Sequence, residues 1–201
     1  MIKFKIFVDI EKEEQWLNYM LSNGWICTNV ISGGFYTFKN TADLEQVIRI
    51  DYQQDLKKEE RTNYKQLYED FGWQALKEKS YDGTYYWLKR KDGNDELFSD
   101  NDSQIAKYKR LIKHASNGII ISFIWLLFCY SNDNFYFFNI KDAYFTPGLW
   151  DAEGFSFLFS FLFETPFAIM RFIPPWLFLA TCSMYVVMYF RYRQSIQKLI
   201  E

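Results

Sequence analysis

The sequence predicts an α+β fold: a tandem β-α-β-β duplication forming an antiparallel sheet with helices on one face, followed by a two-span transmembrane helical hairpin. Three observations predict it. Residues 1–91 pass twice through strand, helix, strand and strand periodicity, and each round carries a Gly-Trp pair, Gly24-Trp25 and Gly72-Trp73. Apolar runs occupy 115–131, 155–163 and 173–190, whereas residues 1–110 are charged. Basic residues gather just before the first run and just after the last.

Average composition hides that division. Hydrophobic residues make up 49% of the 201, and the mean hydropathy of −0.24 resembles a soluble protein. The 21 Phe are nevertheless concentrated in the second half. A net charge of −2 gives no global basic surface, which argues against direct contact with nucleic acid. Cys27, Cys129 and Cys182 are odd in number and far apart, so neither a disulfide framework nor a zinc site is expected. His114 is the only histidine, and no metal or cofactor is expected. The N-terminus lacks a long apolar stretch and does not read as a signal peptide.

The elements follow in order. Residues 3–9 alternate, with Phe4, Ile6 and Val8 on one face, as a strand does. Residues 11–23 switch to helical period with Trp16, Leu17, Met20 and Leu21 in one stripe; Glu11, Glu13 and Glu14 suit its first turn, where the helix dipole favours acids. Gly24 is the left-handed cap, since glycine enters that conformation at little cost. Strands are expected over Trp25–Ile31 and 35–39, joined by a turn at Ser32-Gly33-Gly34. A strand over Gln46–Tyr52 comes next, then a helix over 59–71 with Tyr64, Leu67, Tyr68 and Phe71 on one face. Strands over 73–79 and 84–91 turn at Asp82-Gly83. Trp16 and Tyr64 each stand eight residues before their glycine, which is the basis of the duplication.

The expected soluble domain is 1–97. Its aromatics Trp16, Trp25, Tyr36, Trp73, Tyr85, Tyr86 and Trp87 either fill a core or line a ligand pocket, and Trp16, Tyr36 and Tyr86 are the pocket candidates. A basic amphipathic connecting helix is expected over 98–114, capped by Ser99 or Asp100, with Ile105, Tyr108, Leu111 and Ile112 on its apolar face. Lys107, Lys109, Arg110 and Lys113 cover the rest, as suits anionic lipid. That helix reads as a positive-inside collar or as a lever between domain and membrane.

Residues 115–131 carry no charge and span about 26 Å as a helix, close to the roughly 30 Å of a bilayer core. The second expected span is 173–190, with Trp176 at an interface and Arg191 and Arg193 beyond it, in a cytosolic basic tail of 191–201. Between the spans, 132–172 reads as an extracytoplasmic or interfacial aromatic loop. Its 155–163 run is too short to cross and is interrupted at Glu164-Thr165-Pro166, leaving interfacial and re-entrant placements open; Glu164 and Arg171 are spaced to pair across two helical turns. The distribution of basic residues predicts a multi-pass protein of the cell membrane with both termini in the cytosol.

Several stretches resemble the DUF2812 family: Glu11-Lys-Glu-Glu-Gln-Trp-Leu17, Asn23-Gly24-Trp25, Tyr36-Thr-Phe38, Arg49-Ile-Asp-Tyr52, Gly72-Trp73, and above all Phe98-Ser-Asp-Asn-Asp-Ser-Gln-Ile-Ala-Lys-Tyr-Lys-Arg-Leu111. The resemblance covers about residues 1–115. It implies a bacterial membrane-tethered protein in a regulatory or envelope-stress setting, often encoded beside PadR-like transcription regulators, and it brings no catalytic residues. The partners left open are the lipid bilayer, a PadR-like regulator, a membrane transporter and a second copy of the chain.

Function is expected to be that of a membrane-anchored sensor or regulatory binding protein, whose cytosolic domain binds a protein regulator or small ligand. The alternative is an accessory or self-immunity subunit of a membrane transporter. Asp9, Asp51, Asp55, Glu69 and Asp70 are available carboxylates, but there is no phosphate-binding Gly-rich loop, nucleophile elbow or metal-ligand cluster, so no enzyme activity is expected.

Overall fold

The computed structural model describes residues 1–31, 34–54, 56–76, 83–98, 100–131 and 138–201. Ser32, Gly33, Asp55, Asp82, Ser99, the far end of the strand expected over 73–79 and the first residues of the expected aromatic loop lie outside those described. The chain divides into two compact units. One comprises Met1–Lys113 with Met188–Glu201, the other His114–Val187.

In the first unit, strand β1 (Ile2–Phe4) precedes helix α1 (Ile10–Ser22) and strands β2 (Trp25–Ile31) and β3 (Phe35–Asn40). These strands form an antiparallel sheet in the order β1-β3-β2. Strand β4 (Gln46–Tyr52), helix α2 (Lys58–Asp70) and strands β5 (Gln74–Ala75) and β6 (Thr84–Arg90) follow, giving a second antiparallel sheet in the order β4-β6-β5. β1 is shorter than alternation predicts, and Phe4 and Ile6 are exposed. Asp9 caps α1 by accepting the Glu11 N–H at 3.0 Å. Gly24 (φ +81°) and Gly72 (φ +82°) turn the chain out of α1 and α2, their N–H groups donating to Leu21 and Glu69 carbonyls at 2.9 Å.

The expected single sheet is two sheets. β4 is an edge strand, and α1 lies along that edge in place of another strand. Asn18 Nδ2 donates to the Ile48 carbonyl at 2.8 Å, and Asn18 Oδ1 accepts the Ile48 N–H at 2.9 Å. Glu14 Oε2 accepts the Ile50 N–H at 2.9 Å. Helix side chains thus satisfy backbone groups that would otherwise seek a strand, and the sheet stops there.

Nor do the helices share one face. Leu17, Met20 and Leu21 of α1 enter a core with Cys27 and Phe38 of the first sheet and Ile48, Ile50 and Tyr86 of the second. Alternate positions of the second sheet, Val47, Tyr85 and Trp87, point the other way and meet Tyr64 and Tyr68 of α2. The second sheet is therefore covered on both faces.

Helix α3 (Asn101–Ser131) merges the expected connecting helix and first span. Asp100 starts it, its carboxylate accepting the Ser103 N–H at 2.8 Å. Tyr108 and Leu111 enter the first core, joined by Tyr192 of helix α4 (Gly154–Ile200). The Tyr108 and Tyr192 rings stack 6.0 Å apart, Tyr192 Oη accepts the Ile10 N–H at 3.2 Å, and Tyr108 Oη donates to Glu11. Residues 191–200 of the expected basic tail are the end of α4, and Tyr192, Ile196 and Leu199 pack against the core of the first unit.

In the second unit, α3 and α4 touch at Gly118 and Tyr185, at Ser122 and Thr181, and at Trp125 and Phe178. Partner numbers fall as α3 advances, so the helices run antiparallel. A Cβ on Gly118 would lie 2.6 Å from the Tyr185 ring, so glycine permits this approach. The Trp125 and Phe178 rings stack at 5.5 Å and 7°.

The expected boundary between loop and second span at 172/173 does not exist as a break. α4 is continuous from Gly154, with Pro166, Pro174 and Pro175 inside it. Glu164 pairs with Arg171 at 2.7 Å, two turns on, so the polar interruption read from sequence is satisfied on the helix itself. Short 3-10 turns at Ile140–Ala143 and Leu149–Asp151 precede α4, and Tyr144 stacks on Phe161 at 5.4 Å. α3 and α4, of 31 and 47 residues, are both long and apolar enough to cross a membrane.

Candidate functional site

The polar centre of the first unit is Asp51, wholly buried in β4 between the apolar Ile50 and Tyr52. Strand alternation turns it toward α2, and four donors converge on its carboxylate. Tyr64 Oη donates to Oδ2 at 2.7 Å and Gln53 Nε2 to the same oxygen at 3.2 Å. The Tyr52 N–H reaches Oδ1 at 2.7 Å and Arg110 Nη2 reaches it at 3.2 Å. Arg110 Nε also donates to the Tyr52 carbonyl at 2.7 Å, and Trp87 Nε1 donates to Tyr64 Oη at 3.4 Å. A charge out of water needs this degree of compensation.

Beside the network lies a cavity of about 390 Å³. Tyr64, Tyr68, Phe71, Trp73, Phe98 and Arg110 are among the residues that line it. Leu67 and Phe71, expected on one face of α2 with Tyr64 and Tyr68, are exposed and line this cavity. Burial first, and the Asp51 charge second, push the Tyr64 hydroxyl above its ordinary range; burial does the same for Tyr68. Both are fixed hydrogen-bonding groups at neutral pH. What they offer an occupant is ring surface and dipoles.

The sequence-derived candidates lie elsewhere in the same unit. Tyr36 and Tyr86 donate to one oxygen of Glu13, each at 2.7 Å, which joins the two sheets through a single α1 carboxylate. Trp16 packs edge-on to Tyr36 with ring centres 5.0 Å apart. Tyr36, Tyr86 and Glu13 line a smaller cavity of about 270 Å³, while Trp16 packs into the adjoining core. Tyr36 and Tyr86 are buried, so most of their surface is spent on packing. Next along α1, Glu14 binds the Ile50 N–H and Arg49 Nη1, the latter at 3.1 Å, and burial holds its carboxyl above the ordinary range. Burial pushes the Cys27 thiol up to about 12, so it stays protonated.

The basic residues assigned to a membrane interface divide. Lys109, Lys113 and Arg193 are exposed. Lys107 is buried with its amine over the Phe98 and Tyr108 rings, Arg110 belongs to the Asp51 network, and Arg191 pairs with Asp9 at 3.4 Å. Trp176, in the second unit, is exposed. Sequence reasoning missed Asp51 and Arg110 as partners. The available signal was a carboxylate in an otherwise apolar strand, with a tyrosine-rich helix to follow.

The family model described as a protein of unknown function (DUF2812) matches residues 9–123, more than half of the chain. No curated protein matches the chain, and no solved structure does. The matched span takes in α1, the whole second sheet, Asp51, Arg110 and the cavity beside their network. The chain belongs to the DUF2812 family.

Proposed function

We propose that this protein is a membrane-anchored regulatory binding protein, whose folded head takes a protein regulator or small ligand and whose two apolar helices hold it in the bilayer as a hairpin. One observation carries the reading: α3 leaves the head, and α4 ends in it, with Tyr108 and Tyr192 built into its core and Arg110 into its Asp51 network. In this reading α3, which carries Arg110 in the head and runs on into the apolar stretch, is the segment through which bilayer and head communicate.

Further support comes from the apolar windows of α3 and α4, of which only 17% and 6% is buried; a core helix of a soluble protein would be mostly buried. Their exposed Ile, Leu and Phe suit lipid. Because the first and last residues share one compact unit, an even number of crossings is favoured, and the basic residues favour the cytosol for both ends. The matching strand orders of the two sheets, with glycine turns after both helices, favour a duplicated origin for the head.

The experiment is cross-linking in intact cells followed by detergent purification, for the native protein and for Arg110→Ala, alongside transcript profiling of a deletion strain. A PadR-like or other regulator should be recovered with the native protein and reduced with the variant. Unchanged transcripts and no regulator would overturn the reading.

An accessory or self-immunity role beside a transporter is the second reading. It is favoured by the exposed aromatics Phe138, Phe145 and Trp150 between the apolar helices. Removing residues 138–152, which precede α4, would abolish that role and spare regulation.

A further inference from the structure

We infer that the β1 edge of the first sheet is a docking site for an extended segment of a protein partner, one that alternates apolar and acidic residues and adds a fourth strand. This deepens the proposed function by naming how a protein partner is held.

The backbone register makes the edge available. Met1 and Phe38 exchange both of their backbone hydrogen bonds at 2.8 Å, and the Lys5 N–H donates to the Gly34 carbonyl at 2.9 Å. Odd-numbered residues thus face β3, so the N–H and C=O groups of Ile2 and Phe4 point outward. Among the described residues no other strand pairs with that side of β1.

The side chains fit the same occupant. Register places Phe4 beside Phe35, and Phe35 beside Ile31; with Ile2 these share the outer face of the sheet. All four are exposed, Ile2 at 70% and Phe4 at 59%, and the Phe4 and Phe35 rings are 4.9 Å apart. A contiguous apolar patch next to an unpaired edge is what strand addition uses: backbone bonds hold the guest and alternate side chains select it.

Charge selects against a second copy. Lys3 and Lys5 occupy the other face, where the Lys3 amine contacts Met20 Sδ at 3.4 Å and the Lys5 amine lies 4.9 Å from the Phe7 and Trp16 rings. Among the described residues neither forms an ion pair. Self-pairing centred on Lys3 would set that lysine against itself, whereas acidic guest residues would complement both.

The test uses the full chain in detergent micelles and a labelled, end-blocked Val-Glu-Val-Glu-Val peptide, read by fluorescence anisotropy. Guest valines opposite Ile2 and Phe4 must supply the hydrogen bonds, while guest glutamates point their N–H groups away. N-methylation of the valines should weaken binding at least tenfold, and N-methylation of the glutamates should not. Phe4→Pro removes an outward N–H without touching the β3 ladder and should bind at least tenfold more weakly than Phe4→Ala. If Phe4→Pro fails to fold, the two methylated peptides still decide the matter.

No binding, or equal loss with either methylated peptide, overturns the inference. So does cross-linking of residue 2 to residue 2 of a second copy, which would make the edge a self-association surface. The assay reads the edge alone: a deletion strain with unchanged transcripts would sink the regulatory proposal and leave this result standing.

Discussion

The two sheets of the head have the same strand order and opposite fates. The second is sealed: α1 caps its β4 edge through Asn18 and Glu14, one face joins the first core, and α2 covers the other. The first is sealed on one face only, leaving Ile2, Phe4, Ile31 and Phe35 exposed. Similar local patterns therefore gave one sheet that carries a buried charge network and one that presents an apolar surface. The difference teaches that α1 is shared unequally. Its apolar stripe serves both sheets, but its polar side chains close the edge of only the second.

That comparison can be broken in several ways, the largest first. Trp87→Ala, inside the sealed sheet, should cost about 4 kcal/mol of stability, whereas Phe35→Ala on the open face should cost about 0.5 kcal/mol or less. Denaturant midpoints of the two variants would test this, and equal losses would mean that the outer face of the first sheet is covered in solution. Asp51→Ala leaves Arg110 and Tyr64 without their acceptor and should cost about 3 kcal/mol, measured in the same way. A cost below about 1 kcal/mol would mean that water reaches the network and compensates it.

Asn18→Ala removes both bonds to Ile48 and should cost about 2 kcal/mol. Hydrogen exchange at the Ile48 amide should rise with it, and an unchanged rate would show that the edge is held by packing alone. The smallest effect is on pH dependence. Glu14 holds its proton to higher pH in the fold than in the unfolded chain, where its ordinary value is 4.5. As pH rises above that value the unfolded state binds fewer protons, so this group lowers stability with increasing pH. Glu14→Gln keeps an acceptor for the Ile50 N–H and should flatten the decline, followed as unfolding midpoints from pH 4 to pH 7.

Local pattern made most elements legible. Gln46–Tyr52 and Trp25–Ile31 have the bounds that periodicity predicts, and the Gly-Trp pairs mark both helix ends. Alternation misleads at β1, where Phe4 and Ile6 look inward by pattern and are exposed. Glu164-Thr165-Pro166 reads as an interruption, but the pair that its spacing allows, Glu164 with Arg171 two turns on, forms within one continuous helix. The candidate pocket residues Tyr36 and Tyr86 do converge, on a carboxylate that the sequence suggested only as a dipole partner. The pairing of Asp51 with Arg110 was not legible because they are 59 residues apart, and each alone looks like a solvated charge.

By itself the sequence determined where strand period gives way to helix period, where glycine must turn the chain, and where the apolar runs lie. Those are properties of neighbouring residues. Tertiary structure alone decided the fate of the charges: Glu11 to Tyr108, Glu13 to two tyrosines, Glu14 to the edge of β4, and Arg110 to Asp51. A buried charge is tolerated only where donors from distant segments replace its water, and which segments meet is set by how the cores close.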